Sequence, residues 1–197
     1  MTTRVVVLAD THIRRGSSRH LPPAVYSALE EADLVLHAGD VCQDLLDEPS
    51  GFAPTLAVLG NNDGELLGRL PEERLVTVEG LRIGMLHDSG PRKGREARLR
   101  RRFPSADVVV FGHSHIAVDD SGDGGQWLLN PGSPTERRGP PVRTMGRLVV
   151  DRDRLVEQRD RRRLAPVCAL ITDVGLDAEE TSPWRPDSTG CYWNARP

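Results

Sequence analysis

Three short apolar runs, at residues 4–9, 34–38 and 54–59, each stop on residues able to hold a cation or a proton. The first ends at Asp10-Thr11-His12, the second at Gly39-Asp40, and the third at Gly60-Asn61-Asn62-Asp63. Continuous apolar runs of this length suit strands buried on both faces. Between the first two, Pro22 and Pro23 suit the first turn of a helix, and Ala24, Val25, Ala28 and Leu29 give it an apolar face. A shorter helix is expected over residues 41–47, before Pro49, Ser50 and Gly51 break it. Strand, helix, strand, helix, strand implies parallel strands with right-handed crossovers. Ligands of such sheets bind beyond the carboxyl ends of the strands. Asp10, His12, Asp40 and Asn61 all fall at that edge.

After residue 63 the pattern changes. Residues 74–79 and 81–86 look like two strands joined around Gly80, the second stopping at His87-Asp88. Residues 92–102 read as a helix with seven positive charges and one Glu. A solvated helical face is the simpler reading of that run, and a phosphate-attracting patch is the sharper one. A strand at 107–111 leads into Gly112-His113-Ser114-His115, where two imidazoles can reach one point. Residues 126–130 form another strand, ending Asn130-Pro131-Gly132-Ser133, and 143–150 with 154–158 resemble a hairpin. These later pairs are mostly antiparallel candidates, so a second sheet is expected. The folded unit is expected to span residues 1–163. Residues 164–197, rich in Pro, Gly, Ser, Thr and Asp, read as a flexible tail. Trp184, Tyr192 and Trp193 in that tail could dock on a partner or on the domain.

Composition excludes some classes. A net charge of −3 and a pI near 6.1 provide no global basic field for nucleic acid, which leaves only a local patch as a route to it. Cys42, Cys168 and Cys191 are too widely spaced for a disulfide framework or a zinc ribbon. No segment approaches a membrane span, and a cytoplasmic location is expected.

The strand-end residues Asp10, His12, Asp40, Asn61, His87, His113 and His115 share one kind of chemistry. Carboxylate, amide oxygen and imidazole donors, with no Cys among them, suit Mn, Fe, Zn, Ni or Co. Seven donors exceed what one tetrahedral ion can use, but serve two ions if a carboxylate bridges. Two metals roughly 3.5–4 Å apart can hold a phosphate and lower the pKa of a bridging water. The implied reaction is phosphoester hydrolysis by in-line attack of a bridging hydroxide. Taken singly, each residue has a plainer role. Asp10 and Asp40 would serve as turn or cap residues, Asn61 and Asn62 as a tight turn, and His87 as a sheet-end histidine. Their order on successive strand ends is the argument for one site.

The ordered set Asp-x-His, Gly-Asp, Gly-Asn-x-Asp, His, Gly-His-x-His, across residues 10–115, resembles the calcineurin-like metallophosphoesterase superfamily. The compact size, residues 75–87 and the Asn130-Pro131-Gly132-Ser133 segment resemble its YfcE-type phosphodiesterase branch. They also resemble that branch's eukaryotic relative, the retromer scaffold subunit. The resemblance implies a four-layer αββα sandwich of two mixed sheets. It implies that Asp10, His12 and His115 hold one metal, that Asn61, His87 and His113 hold the other, and that Asp40 bridges. Asp40, Asn61 and His113 are the residues assigned to catalysis, two divalent ions are the cofactors, and manganese is the ion expected first. The substrate would be a small phosphoester, more a diester than a monoester.

Two positions depart from the superfamily pattern. Asn62 stands where many of its phosphatases carry a proton-donating His, and an amide cannot act as a general acid. That favours leaving groups needing little protonation. Asp88 stands where Gly is usual, adding a carboxylate that could tighten metal binding or repel an anionic substrate. Arg14 and Arg15 are candidates to touch the phosphate, and His37 and Asp63 to orient ligands. Asn130 to Ser133 could form the site floor. A non-catalytic scaffold of the same fold, a nuclease, and self-association all remain open at this point.

Overall fold

The computed structural model describes residues 2–46, 51–120, 125–137 and 142–151, together with the backbone of a strand at 167–173. In chain order the elements are β1 (Thr2–Leu8), α1 (Pro23–Glu30), β2 (Leu34–His37), β3 (Thr55–Ala57), β4 (Glu73–Val78), β5 (Leu81–Leu86) and α2 (Arg95–Arg102). Then follow β6 (Val108–Val110), β7 (Val118–Asp120), β8 (Trp127–Asn130), β9 (Thr144–Asp151) and β10 (Val167–Asp173). They form two five-stranded sheets, ordered β10-β9-β1-β2-β3 and β4-β5-β6-β8-β7. Both are mixed: β1, β2 and β3 run parallel, as do β5, β6 and β8, while β9, β10, β4 and β7 are antiparallel to their neighbours.

Alternation along the strands assigns the layers. Val5, Val7 and Ala9 of the β1 segment face the second sheet, where they meet Ile83, Met85, Val108, Val110 and Leu129. The intervening Val6 and Leu8 point the other way, onto Val25, Ala28 and Leu29 of α1. On the far side, Leu86, Val109 and Phe111 pack on Leu99 and Phe103 around α2. Helix, sheet, sheet, helix is the expected four-layer sandwich. Both faces of β1 from Val5 to Leu8, and of β6, are therefore dry, which is why those stretches show no polar alternation.

Several boundaries move. The helix expected over 41–47 is a single 3₁₀ turn, Gln43–Leu46. Its first donors are already committed: the Val41 N–H bonds to Asp63, and Gln43 N–H bonds to the Ile13 carbonyl. The basic helix starts at Arg95, not 92, because Gly94 precedes it with a left-handed φ of 70°. Its arginines hold the fold. Arg98 donates to the carbonyls of Ser89 and Pro91, Arg95 lies 4.9 Å over the Phe111 ring, Arg100 pairs with Glu96, and Arg102 pairs with Glu73. These contacts give four of the helix's arginines a structural role. β7 was not legible in the sequence. β10 lies past the boundary expected at 163 and continues the first sheet by pairing with β9 from Val167↔Val150 to Asp173↔Thr144. The expected strand at 154–158, and Trp184, Tyr192 and Trp193, lie outside the described residues.

Candidate metal centre

The strand-end loops of both sheets converge at one edge. β1 delivers Asp10 and His12, β2 delivers Asp40, and the loop after β3 delivers Asn61. From the other sheet, β5 delivers His87, and the loop after β6 delivers His113 and His115. Five of these residues hold backbone conformations that side chains rarely adopt: φ is 54° at Asp10, 49° at His12, 53° at Asp40, 70° at His113 and 56° at His115. Left-handed backbone at a residue other than glycine costs on the order of 1 kcal/mol or more, and concentrates where function holds it. Each kink turns a side chain off its strand axis into the shared space.

A backbone network fixes the kinks. Asp10 N–H donates to Gly39 O at 3.0 Å, and the N–H groups of Thr11 and His12 both donate to Asp40 O, at 2.9 and 3.0 Å. Asp63, buried, accepts three N–H groups: Asp40 and Gly60 at Oδ2, both at 2.8 Å, and Val41 at Oδ1 at 3.0 Å. It ties the β2 exit loop to the β3 exit loop. Asn62 clamps Asp40 through its N–H to Oδ1, 2.7 Å, and its amide nitrogen to Oδ2, 2.8 Å. Two glycines make the approach possible. A Cβ at Gly60 would overlap the Asp40 backbone and carboxylate, and one at Gly39 would lie 2.6 Å from His87 Nδ1. From below, Asn130 donates to Gly112 O at 2.9 Å, Ser133 to Asp10 O at 2.8 Å, and Thr135 to Thr11 O at 2.8 Å. The Asn130–Ser133 segment is thus the site floor.

Two donor triplets result: Asp10, His12 and His115; and Asp10, Asp40 and His87. The first is one expected ligand set. The second draws Asp10 into both groups. Asp40 Oδ2 lies 3.6 Å from His12 Nε2 and 3.5 Å from His87 Nε2, between the two halves. His115 Nε2 is 3.5 Å from Asp10 Oδ1 and 3.3 Å from His12 Nε2. Asn61 Oδ1 sits between His87 Nε2 at 2.9 Å and His113 Nδ1 at 3.0 Å. Asp10, Asp40, His87 and His115 are buried and His12 half-buried, whereas Asn61 and His113 are exposed, so the cluster opens to solvent on the Asn61 and His113 side.

Protonation states follow from the partners. His87 Nδ1 is 2.8 Å from the Ala38 carbonyl, which only accepts, so Nδ1 carries the proton. Burial holds the His87 pKa below the ordinary histidine value, despite the Ala38 bond and the Asp40 charge. The neutral ring then presents an Nε2 lone pair to the Asn61 oxygen, acceptor facing acceptor. A cation relieves that contact, so the residues fit the metal that the donor set implies. Burial alone would raise the Asp40 pKa, but the two Asn62 bonds and the neighbouring imidazoles outweigh it, and the carboxyl stays below its usual range. His37 does not reach the cluster's centre. It is buried beneath, 2.9 Å from the Thr11 hydroxyl, and burial followed by the nearby His87 pushes its pKa down to about 3.

Other expectations fare differently. Arg14 and Arg15 occupy the exposed turn after Ile13, where the Arg15 N–H donates to Gln43 Oε1. Asp88 is exposed and accepts from the Gly90 N–H at 2.7 Å, closing its own turn. Arg19 is linked to the edge of the cluster by its pair with Glu136 at 2.6 Å. Glu136 Oε2 in turn lies 3.9 Å from both His12 Nε2 and His115 Nδ1. Neither residue was picked out from the sequence. The only available signal was the position of Glu136 three residues after Ser133.

A four-layer sandwich with carboxylates and imidazoles gathered at its strand ends defines an α/β protein with a metal-binding site. Residues 3–153 match the family model described as the calcineurin-like phosphoesterase superfamily domain, and the chain belongs to that family. A probable metallophosphoesterase of Methanothermobacter thermautotrophicus is 36% identical over 169 residues, covering 84% of this chain and 95% of its own. A second, from Methanocaldococcus jannaschii, is 35% identical over 144 residues, covering 71% and 72%. Among solved structures, a mutant of Vps29 from Entamoeba histolytica shares the fold, with a TM-score of 0.61 and 23% identity over 86% of this chain and 98% of that one. No helix among the described residues is long and apolar enough to cross a membrane.

Proposed function

We propose that the chain is a phosphodiesterase that works with two divalent metal ions. The observation that carries this reading is the position of the Asp40 carboxylate between His12 and His87, midway between a buried and an open group of donors. Asp10, His12 and His115 would hold one ion, Asn61, His87 and His113 the other, with Asp40 shared, and manganese is the ion to test first. When bound, such a pair lowers the pKa of water and neutralises phosphoryl charge. The chain's own residues do the rest. Asn62 fixes both oxygens of Asp40, so the shared carboxylate cannot rotate away. Asp63 holds the two loops that carry Asp40 and Asn61 in register. His113, exposed beside Asn61, faces the side from which a substrate arrives. The Asn62 amide cannot itself act as a general acid, which favours diesters with acidic leaving groups.

The test is hydrolysis of bis-p-nitrophenyl phosphate by protein loaded with Mn, Fe, Co, Ni or Zn, compared with p-nitrophenyl phosphate. Asp40→Asn and His113→Ala serve as controls. Diester turnover above monoester turnover, lost in both variants, is the expected result. Absence of turnover with every metal, in protein shown to bind metal, would count against the reading. The likeness to the Vps29 fold supports a second one, a non-catalytic interaction module. Elemental analysis finding no metal, with folding indifferent to chelator, would favour it.

A further inference from the structure

Beside the His12 half of the cluster, a cavity of about 140 Å³ opens between α1 and the loop after β2. Ile13, Leu21, Cys42 and Leu45 make its buried floor, and the Tyr26 and Phe52 rings, 5.9 Å apart and tilted by 32°, make an aromatic wall. Its rim is polar: Arg19, His20 and Asp44. The floor residue Ile13 directly follows His12, Cys42 lies two residues after Asp40, and a parallel β-bridge joins Ile13 to Cys42, so the backbone that carries two of the donors continues into the cavity floor. Arg19 stands at the junction. Its guanidinium is on the cavity rim and is tethered to Glu136, whose other oxygen reaches His12 and His115.

The size is selective. An apolar cavity of roughly 150 Å³ accepts one benzene-sized ring. This cavity has the volume of one six-membered ring, and Arg19 in its lining links it through Glu136 to His12 and His115. We propose that it receives a single-ring aromatic substituent of the phosphoester, an aryl group or a pyrimidine, with Arg19 holding the phosphate at the edge of the cluster. The cavity thus determines specificity for the reaction. This rests on the phosphodiesterase reading above and narrows its substrate class. Arg19 and Glu136 act as one unit: the carboxylate, 3.9 Å from His12 and His115, holds the guanidinium at the edge of the cluster.

The test compares three phosphates binding to the manganese-loaded protein by calorimetry: methyl phosphate, phenyl phosphate and uridine 5′-monophosphate. Either ring-bearing ligand should bind at least tenfold tighter than methyl phosphate, and which one does so identifies the source of the ring. Methyl resonances of Ile13 and Leu45 should shift with the ring-bearing ligand and stay in place with methyl phosphate. Tyr26→Ala removes part of the wall, and Cys42→Met fills the floor. Each should reduce the preference to within about twofold while leaving methyl phosphate affinity unchanged. Arg19→Gln should weaken all three ligands alike. Equal binding of the three in the wild type, or a preference that survives both cavity variants, overturns the proposal and leaves the phosphodiesterase reading standing. Failure of all three to bind overturns the proposal, and the phosphodiesterase reading is then decided separately by the diester hydrolysis described above.

Discussion

Asp63 offers the sharpest test of how the site is built. It is a buried carboxylate with three backbone N–H donors, and it joins loops that leave two different strands. Replacement by Asn keeps the shape and one oxygen. That oxygen can serve Asp40 and Gly60 together, as Oδ2 does now, but the new NH₂ then faces the Val41 N–H, donor against donor. Bonds to a charged acceptor contribute about 1.5–3 kcal/mol each and neutral ones about 0.5–1.5. Losing one charged bond and weakening two others therefore costs about 3 kcal/mol. Asp63→Ala orphans all three donors, and its cost should exceed about 5 kcal/mol unless water enters. For a domain of this size, about 3 kcal/mol corresponds to a fall of roughly 6–12 °C in Tm. The measurement is thermal and urea unfolding of metal-free protein, so that lost metal affinity cannot be mistaken for lost stability. Manganese titration of the surviving Asn variant should then show weaker binding, because Asp40 and Asn61 sit on the two loosened loops. An Asn variant that melts with the wild type would refute the three-bond account of Asp63. Normal stability with normal metal binding would also remove its role in aligning the ligands.

Three further outcomes are expected. The His37 pKa of about 3 means that the folded chain keeps this ring neutral, while the unfolded chain protonates it at about 6.5. Its contribution is whole above the unfolded value and shrinks as pH falls through it. About 2 kcal/mol should be gone by pH 5 in metal-free protein, and His37→Gln should flatten the urea midpoint between pH 7 and pH 5 by that amount. Gly60→Ala forces a methyl into Asp40, so metal content measured by mass spectrometry should fall below that of the wild type, with a stability loss at or above the usual overpacking range of about 1–3 kcal/mol. Leu99 is the buried residue of α2, so Leu99→Ala should cost about 2–5 kcal/mol and speed amide exchange in that helix, with manganese affinity untouched.

The site was more legible in the sequence than the rest because its signal is local and repeated. A buried strand must be apolar throughout, so an Asp or His directly after it stands out, as at Asp10, Asp40, His87 and His113. The β1, β2 and β3 segments were visible for the same reason. β7, three residues long with two exposed, has no such contrast, and its pairing with β8 comes from tertiary context alone. β10 was hidden by its flanks, whose Pro, Gly and Asp content reads as a tail. Arg14 and Arg15 stand out by nearness in sequence to His12, whereas Arg19 returns to the edge of the cluster through Glu136 from further along the same aperiodic loop. Nothing local in the sequence encodes that return, because the partner, Glu136, is 117 residues away.

The site's division between two sheets has a consequence for the domain's mechanics. Among the described residues the sheets share no strand ladder; they meet through side chains packed across the interior and through hydrogen bonds between their strand-end loops, such as Ser133 to Asp10 O and His87 to Ala38 O. An ion held jointly by His12 and His115 would therefore act as a removable cross-link, closing a loop of 103 residues between the halves of the sandwich. Closing loops of that length is where a staple restricts the unfolded chain most. Loading the metal should then stiffen the seam between the sheets, far beyond the residues that touch it, and stripping it should let the two halves breathe independently.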